Sequence, residues 1–176
     1  HMPGEEEMKL AKTIINQSKE TAGNLALTGD KYLLFDDEKQ AFLMYGIYGK
    51  TWVAMGDIVG TSKRAKELIW DFYEMSRLNQ GRAAFYEVSE KYIPVYLDLG
   101  MTLIKIGEEA KVPIETFTLE GSAGKDFRYT VRNVEKKGYR FEIVSGEEVL
   151  RLMPELRRIS DAWLQMKAGK EKRFSI

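Results

Sequence analysis

Two stretches of this 176-residue sequence place chemically capable residues at a spacing that concentrates them. The first is Met55-Gly-Asp-Ile-Val-Gly60, in which Gly56, Asp57 and Gly60 separate an apolar strand-like run from a helical one. A strand-to-helix turn can hold an anion with free backbone N–H groups and the helix dipole, and Lys63 and Arg64 would add charge there. The turn carries neither G-x-G-x-x-G nor G-x-x-x-x-G-K-[ST], so glycines that merely supply unusual backbone angles are the plainer reading. The second stretch runs from Ser122 to Lys137. At about 100° per residue, Lys125, Arg128, Arg132 and Lys136 fall within a sector of about 80°, with Phe127, Val131 and Val134 on the opposite side. Such a line of cations suits phosphates, of a nucleic-acid backbone or of a lipid head group, and serves equally as a solvated face. No aromatic residue is expected among the cations, which argues against a platform for stacking single strands.

The carboxylates are less informative. Asp36-Asp37 falls in a predicted hairpin turn, where Asp is favoured for local hydrogen bonding. Glu108-Glu109 follows a predicted strand, and neighbours on a strand point to opposite faces. Glu87, between Tyr86 and Val88 on a predicted central strand, reads as a candidate buried acid in need of a partner or a role. Trp52, Trp70 and Trp163 sit in apolar patterns, with core packing expected for each.

What is missing narrows the chemistry further. There is no cysteine, and the one histidine is His1. His1-Met2 before Pro3 reads as the scar of a cleaved affinity tag. Disulfides, Cys/His zinc sites, thiol nucleophiles and Ser-His or Cys-His dyads are thereby excluded, and no metal or cofactor is expected. Proton transfer falls to Asp, Glu, Tyr, Lys, water or the substrate. Lys plus Arg and Asp plus Glu each number 27, so no bulk attraction to polyanions exists, but Gly121 to Arg140 holds six cations and two anions. No apolar run approaches the roughly 20 residues that span a bilayer. The lack of cysteine fits a cytosolic setting.

The elements that must position these residues follow from periodicity. An amphipathic helix is predicted over Glu5 to Glu20, then a meander of three antiparallel strands at Tyr32–Phe35, Ala41–Tyr45 and Trp52–Met55. Thr61 is a candidate N-cap for a helix to Asn79 with Gly81 as its stop, and Ala65, Leu68, Phe72 and Met75 form its apolar face. A strand at Ala83–Val88, a short helix capped by Ser89, and a strand at Met101–Ile106 follow. A helix over Ser122–Lys137, a strand at Tyr139–Val144, and a last helix from Glu147 to Met166, interrupted at Pro154, complete the order. No linker or repeat divides the chain, so a single α/β (α+β) domain is expected: a mixed, largely antiparallel sheet with helices on both faces.

Several phrases are recognisable together. Tyr45-Gly-Ile-Tyr-Gly-Lys-Thr-Trp-Val-Ala-Met-Gly-Asp-Ile-Val-Gly60, Phe85-Tyr-Glu-Val-Ser89, Tyr96-Leu-Asp-Leu-Gly100, Lys105-Ile-Gly-Glu-Glu-Ala110 and Ile159-Ser-Asp-Ala-Trp-Leu164, with Glu171-Lys-Arg-Phe-Ser175, resemble the cytosolic domain of bacterial phosphatidylglycerol lysyltransferases, the multiple peptide resistance factors. The resemblance runs from Gly29 to Ser175. It implies a tandem of two GNAT-type acyltransferase domains that moves an aminoacyl group from charged tRNA to phosphatidylglycerol, giving a cationic lipid that repels antimicrobial peptides. It implies a flippase-like membrane domain before this part and a second GNAT-like half after it, so this chain is expected to be the first half, at the cytoplasmic face of the membrane and inactive alone. The R-x-x-G-x-G/A loop with which ordinary GNAT enzymes cradle coenzyme A is missing, which disfavours acetyl-CoA. Lys125, Arg128, Arg132, Asn133 and Lys136 match the family segment rich in Arg, Lys and Asn, which implies contact with tRNA or lipid phosphate. A transferase acting on an activated ester needs mainly positioning, which fits the missing His and Cys.

Overall fold

The computed structural model describes residues 2–18, 20–61, 63–167 and 169. His1 of the expected tag scar and the Glu171–Ser175 phrase lie outside them. The chain divides into two compact units, residues 1–105 and 106–176.

The first unit is built on a five-stranded sheet. Strands β1 (Tyr32–Phe35), β2 (Ala41–Tyr48) and β3 (Thr51–Met55) form the expected antiparallel meander. Asp36 closes the β1–β2 turn, its Oδ1 accepting the N–H groups of Gln40 at 2.8 Å and Ala41 at 2.9 Å. That is the local role that Asp commonly plays in turns. Helix α2 (Ala65–Leu78) then carries the chain over to β5 (Arg82–Tyr86), which lies parallel to β3 with Trp52 opposite Ala83 and Ala54 opposite Phe85. The order is β1-β2-β3-β5, with the two-residue β4 (Val59–Gly60) paired to the start of β2.

Alternation along the strands separates two faces. Ala41, Leu43, Tyr45 and Ala54 join Leu68, Ile69 and Phe72 of α2 in one core, together with Tyr92, Val95 and Tyr96. The last two belong to α3 (Ile93–Asp98), which continues a 3-10 turn over Glu90–Tyr92, with the Ser89 hydroxyl accepting the Lys91 N–H. Phe72 anchors this core, its ring meeting those of Tyr45 at 5.2 Å and Phe85 at 5.4 Å. Phe42 and Val59, paired across β2 and β4, face the other way. That side is covered by α1 (Glu5–Gln17), whose Ala11, Ile14 and Ile15 are buried, and by a 3-10 helix over Thr21–Thr28 that periodicity alone did not predict. The mixed, largely antiparallel sheet with helices on both faces is therefore present.

Some expectations are corrected in this unit. Helix α2 begins at Ala65 with Arg64 at its N-cap, not at Thr61, because Thr61 donates its N–H to the Gln40 carbonyl and extends the β4 pairing. Among the described residues, β5 is at the edge of the sheet, and residues 101–106 form no strand. After α3 the chain turns at Gly100, where the Met101 N–H bonds the Tyr96 carbonyl. Apolar alternation makes a segment compatible with a sheet, but only a paired neighbour makes it a strand. Trp52 is half-buried and stacked on Tyr45 at 5.6 Å, whereas Trp70, placed in the core by its sequence context, is 40% exposed.

The second unit holds α4 (Lys125–Lys136) and α5 (Gly146–Lys167). Helix α4 ends at Lys136, and the chain turns at Gly138, the expected stop, with φ +84°. Residues 139–144 form no strand, Phe141 and Ile143 being exposed. Helix α5 runs through Pro154 without the expected interruption, at the cost of one intrahelical N–H and of crowding at the carbonyl four residues before it. Trp163, also expected in a core, is exposed on α5. Among the described residues no helix is long and apolar enough to cross a membrane.

Candidate functional site

In the first unit the candidate region is the carboxyl end of the parallel pair β3 and β5. In open α/β arrangements the crevice beyond the strands' carboxyl ends is the usual place for a ligand, since loops from neighbouring strands converge there. Here Gly56 and Asp57 leave β3, while Glu87 and Ser89 leave β5. The Gly56 N–H donates to the Tyr86 carbonyl at 2.8 Å. Asp57 accepts from the Ser89 N–H at 3.1 Å and from the Ser89 hydroxyl. Glu87 has φ +57° and is exposed, so the buried acid expected from its neighbours is not present: β5 ends one residue earlier, at Tyr86.

The glycines of the Gly56–Gly60 turn are explained by its own backbone. Gly60 has φ +103°, and a Cβ there would sit 2.6 Å from Ile14 Cγ2 and closer still to the Gln40 carbonyl oxygen. Only glycine fits, because the backbone conformation and the approach of α1 both exclude a side chain. The N–H groups of Gly56 and Thr61 are already committed, and the Asp57 carboxylate is the charge nearest the turn's centre in sequence. Lys63 is exposed, and Arg64 pairs with Asp37 of the β1–β2 turn. Of the N–H groups around the anion cradle expected at Gly56, Asp57 and Gly60, those of Gly56 and Thr61 are thus taken by backbone carbonyls.

Beside the free edge of β5 lies a cavity of about 210 Å³, lined by Ala83, Ala84, Phe85, Val88, Tyr96, Met101, Thr102 and Leu103. Tyr96 is buried, and its ring packs on Phe85 at 4.8 Å. Burial first, and then the negative charge of Asp57, push the Tyr96 phenol well above its ordinary range, so it stays protonated at physiological pH. Apart from Thr102 and Tyr96, the side chains that line it are apolar.

In the second unit, α4 carries the basic sector. Lys125, Arg132 and Lys136 are exposed, while Arg128 and Asn133 are half-buried. The Arg128 guanidinium donates to the carbonyls of Leu119 and, at 2.9 Å, Gly121, so it holds the loop that leads into the helix. Among the described residues Lys125, Arg132 and Lys136 form no ion pair. Phe127, opposite, meets Phe117 edge-on at 5.9 Å.

Tyr129 changes the reading of this face. At about 100° per residue it lies about 40° from Lys125 and about 20° from Lys136, inside the basic side of the helix, and it is 68% exposed. The expectation that no aromatic interleaves the cations is therefore corrected. The signal was present in the sequence, since Tyr129 follows Lys125 by four residues and precedes Arg132 by three.

Comparison with known proteins places the chain in a family. A sequence profile of the family described as "Phosphatidylglycerol lysyltransferase, C-terminal" matches residues 12–176. Phosphatidylglycerol lysyltransferase of Staphylococcus haemolyticus is 32% identical over 97% of this chain and 20% of its own length, and that of Staphylococcus epidermidis RP62A is 31% identical over 87% and 18%. The crystal structure of the C-terminal domain of a protein assigned as a lysylphosphatidylglycerol synthetase in Agrobacterium fabrum superposes with a TM-score of 0.86 at 35% identity, covering 97% of this chain and 54% of that one. The structure of L-PGS from Bacillus licheniformis gives 0.77 at 26% identity, covering 100% and 55%. The chain spans about a fifth of the length of these curated relatives and about half of the two solved chains. It belongs to the phosphatidylglycerol lysyltransferase C-terminal family.

Proposed function

We propose that the chain is part of an aminoacyltransferase that moves lysine, or another amino acid, from aminoacyl-tRNA to phosphatidylglycerol. The observation that carries this reading is the family match over residues 12–176, supported by the fold likeness to two synthetase chains. In the reaction, a hydroxyl oxygen of the lipid glycerol attacks the aminoacyl carbonyl, the ester to the tRNA ribose breaks, and the hydroxyl proton ends on the released ribose oxygen. No redox partner is needed, and the demands are positioning and a proton path. The product carries added positive charge, which would repel cationic antimicrobial peptides. The full protein would work at the cytoplasmic face of the bacterial membrane, with a flippase-like membrane domain before this part.

We read this chain as the first GNAT-like half of a tandem, a reading supported by its coverage of about half of each solved chain. The reaction centre then draws largely on the second half, and this part is inactive alone. Its catalytic residues are not assigned. Lys125, Arg128, Arg132, Asn133 and Lys136 are assigned to phosphate contacts with the tRNA or the lipid.

A second reading, a non-catalytic GNAT-like binding or scaffold module, draws support from the lining of the β5 cavity, which is apolar apart from Thr102 and the Tyr96 hydroxyl. Lysyl and alanyl transfer from charged tRNA to phosphatidylglycerol, assayed on the longer protein that contains this chain, decides between them. An aminoacylated lipid is expected, and no product with any aminoacyl-tRNA overturns the transferase reading.

A further inference from the structure

We propose that the Tyr129 side of α4 is a docking surface for single-stranded RNA, with the Tyr129 ring stacked on one base and Lys125, Arg132 and Lys136 on the phosphates to either side. The proposal rests on the aminoacyl-tRNA reading above and deepens it by naming the face and the aromatic anchor.

The arrangement follows from helix geometry. Lys125 lies one turn before Tyr129, about 6 Å along the axis, while Arg132 lies about 4.5 Å and Lys136 about 10 Å beyond it. All four project within a sector of about 60°. Asp126 and Glu135 each fall about 60° outside that sector, so no carboxylate interrupts it. Arg128 is held by the Leu119 and Gly121 carbonyls, which fixes the entry to the helix and leaves the other three cations for a partner. Tyr129 is 68% exposed, so one face of its ring is open to a base. A ring flanked by cations is the recurring device for single strands: the base stacks whatever its identity, and the cations track the backbone. Paired, stacked bases offer no such face.

The place of the aromatic residue favours RNA over a lipid surface. A helix lying in a membrane interface turns its apolar face toward the acyl chains. Helix α4 has such a face in Phe127, Val131 and Val134, but Tyr129 lies among the cations instead, where its ring meets a base and not an acyl chain. Phe127 is also engaged with Phe117.

Fluorescence anisotropy of a labelled oligoadenylate against the intact chain tests the surface. Wild-type protein is expected to bind at low salt. Tyr129→Ala is expected to weaken binding roughly fivefold to a hundredfold with the salt dependence unchanged, because a stack is lost and no phosphate contact is. Tyr129→Phe keeps the stack and is expected to bind as wild type. Lys125→Ala and Arg132→Ala are expected to weaken binding and flatten its salt dependence. No binding by the wild type, unchanged affinity in Tyr129→Ala, or Lys125-dependent binding to phosphatidylglycerol vesicles without binding to the oligonucleotide overturns the proposal. Transfer measured in the longer protein reads the transferase assignment separately: transfer with RNA affinity unchanged in Tyr129→Ala removes this surface alone, and absence of transfer removes the assignment whatever α4 binds.

Discussion

Asp57 and Ser89, 32 residues apart in sequence, are joined by two hydrogen bonds from the Ser89 backbone N–H and hydroxyl to the Asp57 carboxylate. The pair ties the turn after β3 to the cap of the helical segment after β5. It thereby sets the spacing of the two loops at the carboxyl ends of the parallel strands. Hydrogen bonds to a charged acceptor are stronger than neutral ones, but the site is partly exposed, so Asp57→Ala is expected to destabilise by about 1 kcal/mol and to lower Tm by roughly 2–4 °C. Ser89→Ala is expected to act similarly, and the double variant to cost little more than either single one, as measured by urea unfolding. Full additivity would show that the two residues act independently.

Lys31 is 1% exposed, and its ammonium is held by Asp30 Oδ1 at 2.8 Å and by the Thr28 hydroxyl at 3.5 Å. Burial pushes the Asp30 carboxyl up, but the hydrogen bonds from Lys31 and Thr28 and the charge of Lys31 outweigh it and hold it below the usual carboxylate range. A depressed folded-state value means that the stability is present above the ordinary aspartate pKa of about 4 and is lost as pH falls through the lower folded value. Asp30→Asn is expected to remove this part of the acid sensitivity. Lys31→Met, which removes the buried charge, is expected to be tolerated better at pH 7 than Asp30→Ala, which leaves that charge without its carboxylate. Unfolding curves at neutral and acid pH check both.

Gly60 and Gly49 both have positive φ, +103° and +58°, but a Cβ at Gly49 would meet nothing within 4 Å, whereas at Gly60 it strikes Ile14 and the Gln40 carbonyl. Gly49→Ala is therefore expected to cost about 1 kcal/mol, the conformational penalty alone. Gly60→Ala is expected to cost several times as much, because α1 must also shift on the sheet. Thermal denaturation of the two variants measures the difference.

Phe72 is fully buried and contacts the rings of Tyr45, Trp52 and Phe85. Phe72→Ala is expected to destabilise by about 3–5 kcal/mol, through lost burial and the cavity left between α2 and the sheet. Phe72→Leu is expected to retain more of the stability. Denaturant unfolding with unchanged slope would assign the loss to the folded state.

Arg128 and Arg132 sit on the same helix with different occupations. Arg128→Ala is expected to loosen the Leu119–Gly121 loop, read as faster amide exchange there, because it removes the donor to both carbonyls. Arg132→Ala is expected to leave that exchange unchanged.

The sequence by itself determined the elements with their own local cause: the β1–β2–β3 meander, the apolar face of α2, the Ser89 cap and the stop of α4 at Gly138. Each rests on alternation, helical spacing or a turn residue, all of which are written in neighbouring positions. It also determined the chemistry available, since a chain whose one histidine is His1 and which has no cysteine leaves proton transfer to carboxylates, phenols and amines. Tertiary structure decided the rest. It placed β5 parallel to β3, exposed Glu87 by ending that strand at Tyr86, and spent the Gly56 and Thr61 N–H groups on backbone partners. It also joined Arg128 to the Leu119 and Gly121 carbonyls of its own loop. These outcomes depend on which groups meet across long separations, as Asp57 and Ser89 do. A residue's type and spacing state what it can bond, but only the folded chain decides which of its bonds are already made.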